Sequence, residues 1–215
     1  MKEYEFVLFD LDGTLTDPGE GITNSVAYAL NKFGIAVEDK KQLYPFIGPP
    51  LHESFENYYG FSPEDAMKAV DCYREYYNVK GIFENYVYDG IKDVLKTLKK
   101  HGKCVCLATS KPEIYASQIL DHFGLSQYFD YIAGANMDGT RTKKDEVIRY
   151  ALSLCKAENP SDVIMVGDRE FDIIGAKSCG VDSIGVLFGY GDRDELQNAG
   201  ATYIAENVND ILSFI

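Results

Sequence analysis

The sequence has no apolar run approaching the ~18 residues that a membrane span requires. It is also short of basic residues. Lys and Arg number 21 against 34 Asp and Glu, a formal net charge of −13 over 215 residues. The first absence excludes a membrane-spanning helix. The second argues against a nucleic-acid polymer as partner, because phosphate backbones are gripped by clustered Lys and Arg. An anionic membrane surface would repel the chain for the same reason. The five cysteines are odd in number and include no CxxC pair, so neither a disulfide framework nor a thiolate metal site is signalled. Reduced, buried thiols in a cytoplasmic protein are expected instead. The opening MKEYEFVLFDLDG lacks the apolar run and small-residue cleavage site of a signal peptide and reads as mature protein beginning with a strand. There is no internal repeat or low-complexity tract. What is present, 16 Tyr and 12 Phe with abundant Ile, Leu and Val, is enough apolar material to offset the chain entropy lost on folding.

Short β-rich runs at 4–11, 103–109, 131–135, 163–167 and 183–187 alternate with amphipathic stretches at 114–123, 145–155 and 172–179. This alternation predicts an α/β fold of βαβ units, with a mostly parallel sheet and helices on both faces. Such sheets bind ligands at the carboxyl ends of their strands, which directs attention to the loops after Leu11, Thr109 and Gly167. One segment breaks the pattern. Between Asp17 and Ile82 only helical periodicity is found, at 22–33, 51–59 and 63–77, punctuated by Gly48-Pro49-Pro50 and by Gly60. A helical block of that length exceeds any crossover helix. It predicts a helical subdomain at 17–82 inserted into a core formed by 1–16 and 83–215.

The strand-end loops carry the chemistry. Asp10 and Asp12 stand two apart at the end of the first strand, followed by Gly13, Thr14 and Leu15. Two acids held close repel unless a cation or proton lies between them, and Mg2+ is the hard cation that prefers oxygen ligands. An ordinary Asp-Gly turn would read the same way from this loop alone. Thr109 and Ser110, ahead of Lys111 and a helix starting near Pro112, suit an anion or merely a helix cap. Asp168 and Asp172 follow the VIMVG strand, placed either to join the first-loop acids or simply to open a helix. The three loops together are harder to obtain by accident than any one.

In order along the chain, FDLDGTLTD, ATSKP, RTKKDEVI and VGDREFD resemble the four motifs of haloacid-dehalogenase-type phosphohydrolases, over essentially the whole chain. The resemblance implies a Rossmann-like core with a small α-helical cap. It implies Asp10 as nucleophile forming an aspartyl-phosphate, Asp12 as general acid and base, and Lys144 as the charge-neutralising lysine, with Lys143 as the alternative. Gly13, Thr14, Thr109 and Ser110 would hold the phosphate. Asp10, the carbonyl oxygen of Asp12, and Asp168 would bind Mg2+, with Asp172 orienting the surrounding groups. Lys111, beside the second motif, is given no catalytic role. Asp12 argues for phosphate esters over carbon–halogen bonds, since dehalogenases of this superfamily lack that acid.

The cap would close over the site and choose the leaving group. Its FIGPPLHESF segment resembles the specificity loop of phosphoglycolate-phosphatase-like members, which makes Phe46, Gly48 and His52 candidates for substrate contact. Residues 17–82 carry ten acids and six bases, a net −4, uncomfortable for a strongly anionic tail. Tyr58, Tyr59, Tyr73, Tyr76 and Tyr77 are mostly packing residues at helical spacing, though one or two would suit a nucleoside face. The expected activity is therefore Mg2+-dependent hydrolysis of a small cytosolic phosphomonoester, phosphoglycolate-phosphatase-like. A 5′-nucleotidase is the alternative, and a sugar phosphomutase a more distant one. A phosphoacceptor signalling module would need neither Asp12 nor the insert.

Overall fold

The computed structural model describes residues 2–215, which divide into two compact units. One comprises the described residues up to Thr16 together with Val87–Ile215, and the other Asp17–Tyr86. The chain thus returns to the first unit a few residues later than the sequence pattern suggests. Tyr86–Val87 (β3) pairs with Thr16–Asp17 (β2) as a short ribbon, which the apolar pattern is too brief to reveal.

The first unit is built on six parallel strands. Phe6–Phe9 (β1), Cys104–Pro112 (β4), Tyr131–Ala135 (β5), Val163–Gly167 (β6), Asp182–Val186 (β7) and Tyr203–Ala205 (β8) lie in the order β5-β4-β1-β6-β7-β8. The central strands are buried on both faces: Val7, Leu8 and Phe9 of β1 and all of β6 are inaccessible. Continuous apolar runs such as VLF and VIMV suit a sheet covered on both sides. Leu8, Cys106, Ala108, Ala133 and Met165 pack with Val147, Ile148 and Ala151 of Lys144–Cys155 (α6). Helices Ile91–Lys100 (α4) and Glu113–His122 (α5) also pack on β4, and Glu170–Ser178 (α7) packs on β6 and β7. Arg193–Ala199 (α8) follows β7. All five cysteines are free.

Register decides where the site forms. Phe9 of β1 stands opposite Leu107 of β4 and Val166 of β6. Asp10, Thr109 and Asp168 therefore lie within two residues of one transverse line. The order of strands reverses at this point, because the chain moves from β1 to β4 and β5 on one side before crossing to β6. Ligand crevices form at such switch points.

The second unit is helical. Gly19–Lys32 (α1), a 3₁₀ segment Lys40–Phe46, Leu51–Tyr59 (α2) and Pro63–Tyr76 (α3), with a π-turn at Tyr77–Gly81, pack on one another. Helix α2 stops at Gly60, and α3 begins where the Ser62 hydroxyl accepts from Asp65 N at 3.1 Å with Pro63 in the first turn, a standard start signal. Phe46 and Phe55 are buried, with ring centroids 5.1 Å apart, and Phe55 stacks on Phe61 at 5.8 Å. No helix among the described residues is long and apolar enough to cross a membrane.

Candidate active site

The first loop folds tightly after β1. Asp10 N donates to Val166 O at 2.9 Å, extending the pairing with β6 by one residue. The chain then turns on itself. The amides of Thr14, Leu15 and Thr16 all donate to Leu11 O, at 2.9–3.3 Å. Gly13 has φ +83°, and a Cβ there would lie 2.1 Å from Asp168 Oδ2. Only glycine meets both demands. Thr14, expected at the phosphate, donates its hydroxyl proton to Asp168 Oδ1 at 3.3 Å and is fully buried. A hydroxyl has one proton to give, so Thr14 braces Asp168 and its donor does not face a phosphate.

Lys144 is brought to the acids and Lys143 is not. Lys143 is exposed as the N-cap of α6, its backbone N–H donating to Glu146 Oε2 at 3.4 Å. The next residue points inward. Lys144 Nζ lies 2.8 Å from Asp10 Oδ1 and 2.7 Å from Asp172 Oδ1, and donates to Ala108 O at 3.2 Å. Neither carboxylate oxygen has a hydrogen-bond partner of good geometry, so these contacts are ion pairs first. Burial works against the Lys144 ammonium, but Asp10 and Asp172 outweigh it and hold its pKa above the ordinary lysine value.

Asp10, Asp168 and Asp172 form a buried triad whose ligand oxygens all lie within 4.8 Å of one another. Asp168 is inaccessible and accepts from Tyr190 N at 2.8 Å as well as from Thr14. Asp172 Oδ2 accepts from Arg169 N at 3.2 Å, capping α7 while turning Oδ1 toward Lys144. Behind them, Glu195 Oε1 accepts from Glu170 N and Arg169 Nε, both at 2.8 Å, pinning the start of α7 to α8. Burial, then Asp172 and Asp10, push the Asp168 carboxyl well above the usual range. Burial likewise raises Asp172 to about 6, with Lys144 opposing. Three carboxylates beside one ammonium leave two uncompensated negative charges. Hard oxygen donors with that deficit fit a divalent cation such as Mg2+, and the triad is a set of residues able to hold one.

The third loop contributes Thr109 and Lys111. Strand β4 runs on through Pro112, but its register to β5 shifts between Ala108 and Pro112, which re-aims the side chains between. Thr109 is buried, and its Oγ1 accepts from Lys111 N at 3.2 Å. With a lone pair engaged, the hydroxyl proton remains to be donated elsewhere. Ser110 is half-buried on the same bulge. The Lys111 ammonium donates to Asp12 Oδ2, and only 7% of its side chain and 13% of that of Asp12 are exposed. Asp12 Oδ1 is buried with no hydrogen-bond partner among the described residues. Burial raises the Asp12 pKa, with Lys111 acting in the opposite direction. The engagement of Lys111 was not legible in the sequence, which gave no sign of the bulge.

The substrate candidates of the helical unit fare differently. Phe46 is 2% exposed and surrounded by Phe55, Tyr58 and Tyr59. It is a core residue of that unit and has no free face for a ligand. Gly48, with φ +106°, and His52, whose ring is 3.9 Å from Glu53, are exposed. Tyr73 and Tyr77 stack on one another at 5.1 Å, and both are buried, whereas Tyr58 is 54% exposed.

A parallel sheet that collects an acid pair, a second acid pair, a hydroxyl and a buried lysine at one switch point defines an enzyme acting on phosphate esters. The haloacid dehalogenase-like hydrolase family matches residues 7–186, and the chain belongs to that family. Over 194 residues it is 46% identical to a 5′-nucleotidase of Pseudomonas aeruginosa, covering 90% of this chain and 87% of that one. Over 200 residues it is 40% identical to the tyrosine-protein kinase PtkA of Mycobacterium tuberculosis, covering 93% and 68%. Among solved structures, a predicted phosphatase from Clostridium acetobutylicum superposes with a TM-score of 0.95 at 51% identity, covering 99% and 98%. The chain is a phosphatase of this family.

Proposed function

We propose that the chain hydrolyses the monoester of a small phosphorylated metabolite with Mg2+ as cofactor, through an aspartyl-phosphate on Asp10, and that a nucleoside 5′-monophosphate is its substrate. The observation that carries the mechanism is Lys144, a buried cation held between Asp10 and Asp172 beside a buried carboxylate, Asp168.

In the first step a carboxylate oxygen of Asp10 attacks phosphorus and the ester P–O bond breaks. Asp12 gives its proton to the departing alkoxide. In the second step Asp12, now ionised, takes a proton from water as the water oxygen attacks phosphorus; the P–O bond to Asp10 breaks, releasing inorganic phosphate and regenerating the Asp10 carboxylate. Lys144 holds positive charge beside the nucleophile throughout, and the Thr109 hydroxyl proton is available to a transferring oxygen. Asp10, the Asp12 carbonyl and Asp168 would hold Mg2+, with Asp172 beside them. Such an ion, when bound, offsets the repulsion between carboxylate and phosphate.

For the substrate, the 46% identical relative named as a 5′-nucleotidase supports a nucleotide. The phosphoglycolate reading leaned on a loop whose Phe46 is engaged in packing.

The test is phosphate release from a panel of nucleoside monophosphates, phosphoglycolate, pyrophosphate and sugar phosphates, with Mg2+ or with EDTA. Turnover of a nucleotide in preference to the others, abolished by EDTA and in Asp10→Asn, is expected. Preference for phosphoglycolate or pyrophosphate would overturn the substrate, isomerisation without phosphate release the hydrolysis, and full activity of Asp10→Asn the mechanism.

A further inference from the structure

We infer that Lys111 is a positioning residue for the proton-transferring carboxyl of Asp12, an inference that rests on the role proposed for Asp12. Three observations converge. The Lys111 ammonium grips one oxygen of that carboxyl, Oδ2, and both side chains are largely shielded from solvent. The other oxygen, Oδ1, is buried with no hydrogen-bond partner among the described residues. The register shift between Ala108 and Pro112 places Lys111 so that its backbone N–H engages Thr109 Oγ1 while its side chain reaches the first loop.

This arrangement divides the carboxyl into a held oxygen and an open one. A carboxyl on a short side chain at a loop turn has two rotatable bonds. Anchoring Oδ2 fixes both, leaving Oδ1 at a defined place. Lys111 acts through Asp12, not on the transferring phosphoryl group, for which Lys144 already supplies the cation. Proton transfer by a positioned group contributes about 10²–10⁴-fold to rate. Its loss is felt in proportion to how much the leaving group needs a proton. An alkoxide such as a nucleoside 5′-oxygen needs one, and p-nitrophenolate, already a stable anion, does not.

The experiment compares kcat/KM for a nucleoside 5′-monophosphate and for p-nitrophenyl phosphate in the wild-type protein and in Lys111→Met, Lys111→Arg and Asp12→Asn. This quantity reports only steps through leaving-group departure, so the shared hydrolysis of the phosphoenzyme drops out. Lys111→Met is expected to lower the nucleotide-to-nitrophenyl ratio by about tenfold or more, and Asp12→Asn by at least as much. Lys111→Arg, which keeps a donor and a charge for Oδ2, should restore much of the ratio. An equal fall on both esters in Lys111→Met, with the ratio collapsing only in Asp12→Asn, overturns the role of Lys111 and spares that of Asp12. An unchanged ratio in Asp12→Asn overturns the general-acid reading itself. Should Lys111→Met fail to fold, Lys111→Arg and Lys111→Gln decide: the inference requires the ratio to fall in Gln and not in Arg, and the reverse order sinks it.

Discussion

Replacing Lys144 by Met keeps a buried stem of similar length and removes one charge. Lys144 Nζ sits 2.8 Å from Asp10 and 2.7 Å from Asp172, with 6% of its side chain exposed. At such separations and an effective dielectric constant of ~20, each attraction is about 6 kcal/mol before desolvation is subtracted. Desolvation consumes much of that, and removing one partner of a buried pair typically costs about 3–5 kcal/mol, because the remaining charges are stranded. Here three carboxylates would be stranded together. Lys144→Met should therefore lose about 3–5 kcal/mol of stability near neutral pH and regain part of it on acidification, as those carboxyls take up protons. Loss of a preorganised charge beside the nucleophile should lower kcat/KM by about 10²–10³. The control is its neighbour. Lys143→Met alters an exposed side chain and should shift stability by no more than ~0.5 kcal/mol. Urea unfolding at pH 5.5 and 7.5, with phosphate release on the same preparations, reads both quantities. The reasoning is refuted if Lys143→Met loses the activity while Lys144→Met keeps it, or if Lys144→Met is no less stable than the wild type at either pH.

The acid triad makes the metal visible without turnover. Burial holds Asp168 well above the ordinary carboxylate range and raises Asp172 to about 6. Between the ordinary value and about 6 the metal-free folded state therefore binds more protons than the unfolded chain, and its stability falls as pH rises through that window. Mg2+ competes with those protons, so its stabilisation, about 2.7 kcal/mol at a hundredfold excess over Kd, should raise the melting temperature more at pH 8 than at pH 5. Equal shifts at the two pH values, or none, would argue against the triad as its site. Gly13→Ala places a Cβ 2.1 Å from Asp168 Oδ2 at a φ of +83° and should abolish both activity and the Mg2+ shift; a variant that keeps either removes the argument for that close approach. Phe46→Ala should cost about 3–5 kcal/mol of stability with KM unchanged in the folded fraction. A raised KM at unchanged stability would return Phe46 to the substrate.

What the sequence disclosed was whatever depends on short-range pattern. The apolar runs of β1 and β6 and the acids that end them are contiguous, so the strands, the parallel sheet and the convergence of Asp10 with Asp168 could be inferred. Features set by tertiary contact were hidden. Strand β1 ends at Phe9, not at Leu11, because Leu11 O gathers three amides of the following turn, and nothing in the residue types announces that. Asp172 reads as an ordinary helix-start acid and does cap α7. Its second oxygen on Lys144 follows from α6 and α7 packing together. Spacing favours Lys144 over Lys143, and α6 begins at Lys144, which puts that residue on the same face as Val147, Ile148 and Ala151. The contact of Lys111 with Asp12 is hidden for the opposite reason. Period-2 alternation tells which face a strand residue takes only while the register holds, and here it shifts between Ala108 and Pro112.

The net charge of −13 sharpens the order of events at the site. Asp10, Asp168 and Asp172 against Lys144 leave the buried triad two charges negative, inside a protein that is itself strongly acidic. A phosphate monoester, dianionic at neutral pH, is repelled by that arrangement at every range. Screening removes the long-range part beyond ~8–10 Å at physiological ionic strength, but not the part between buried groups. Both lysines are already engaged. Lys111 is paired with Asp12, and Lys144 is shared between Asp10 and Asp172. On the proposed mechanism a divalent cation held by the triad would supply the charge that the lysines do not. With Mg2+ held as proposed, EDTA should raise KM as well as lower kcat. A chain with a third, unpaired lysine in the site would show the fall in kcat alone.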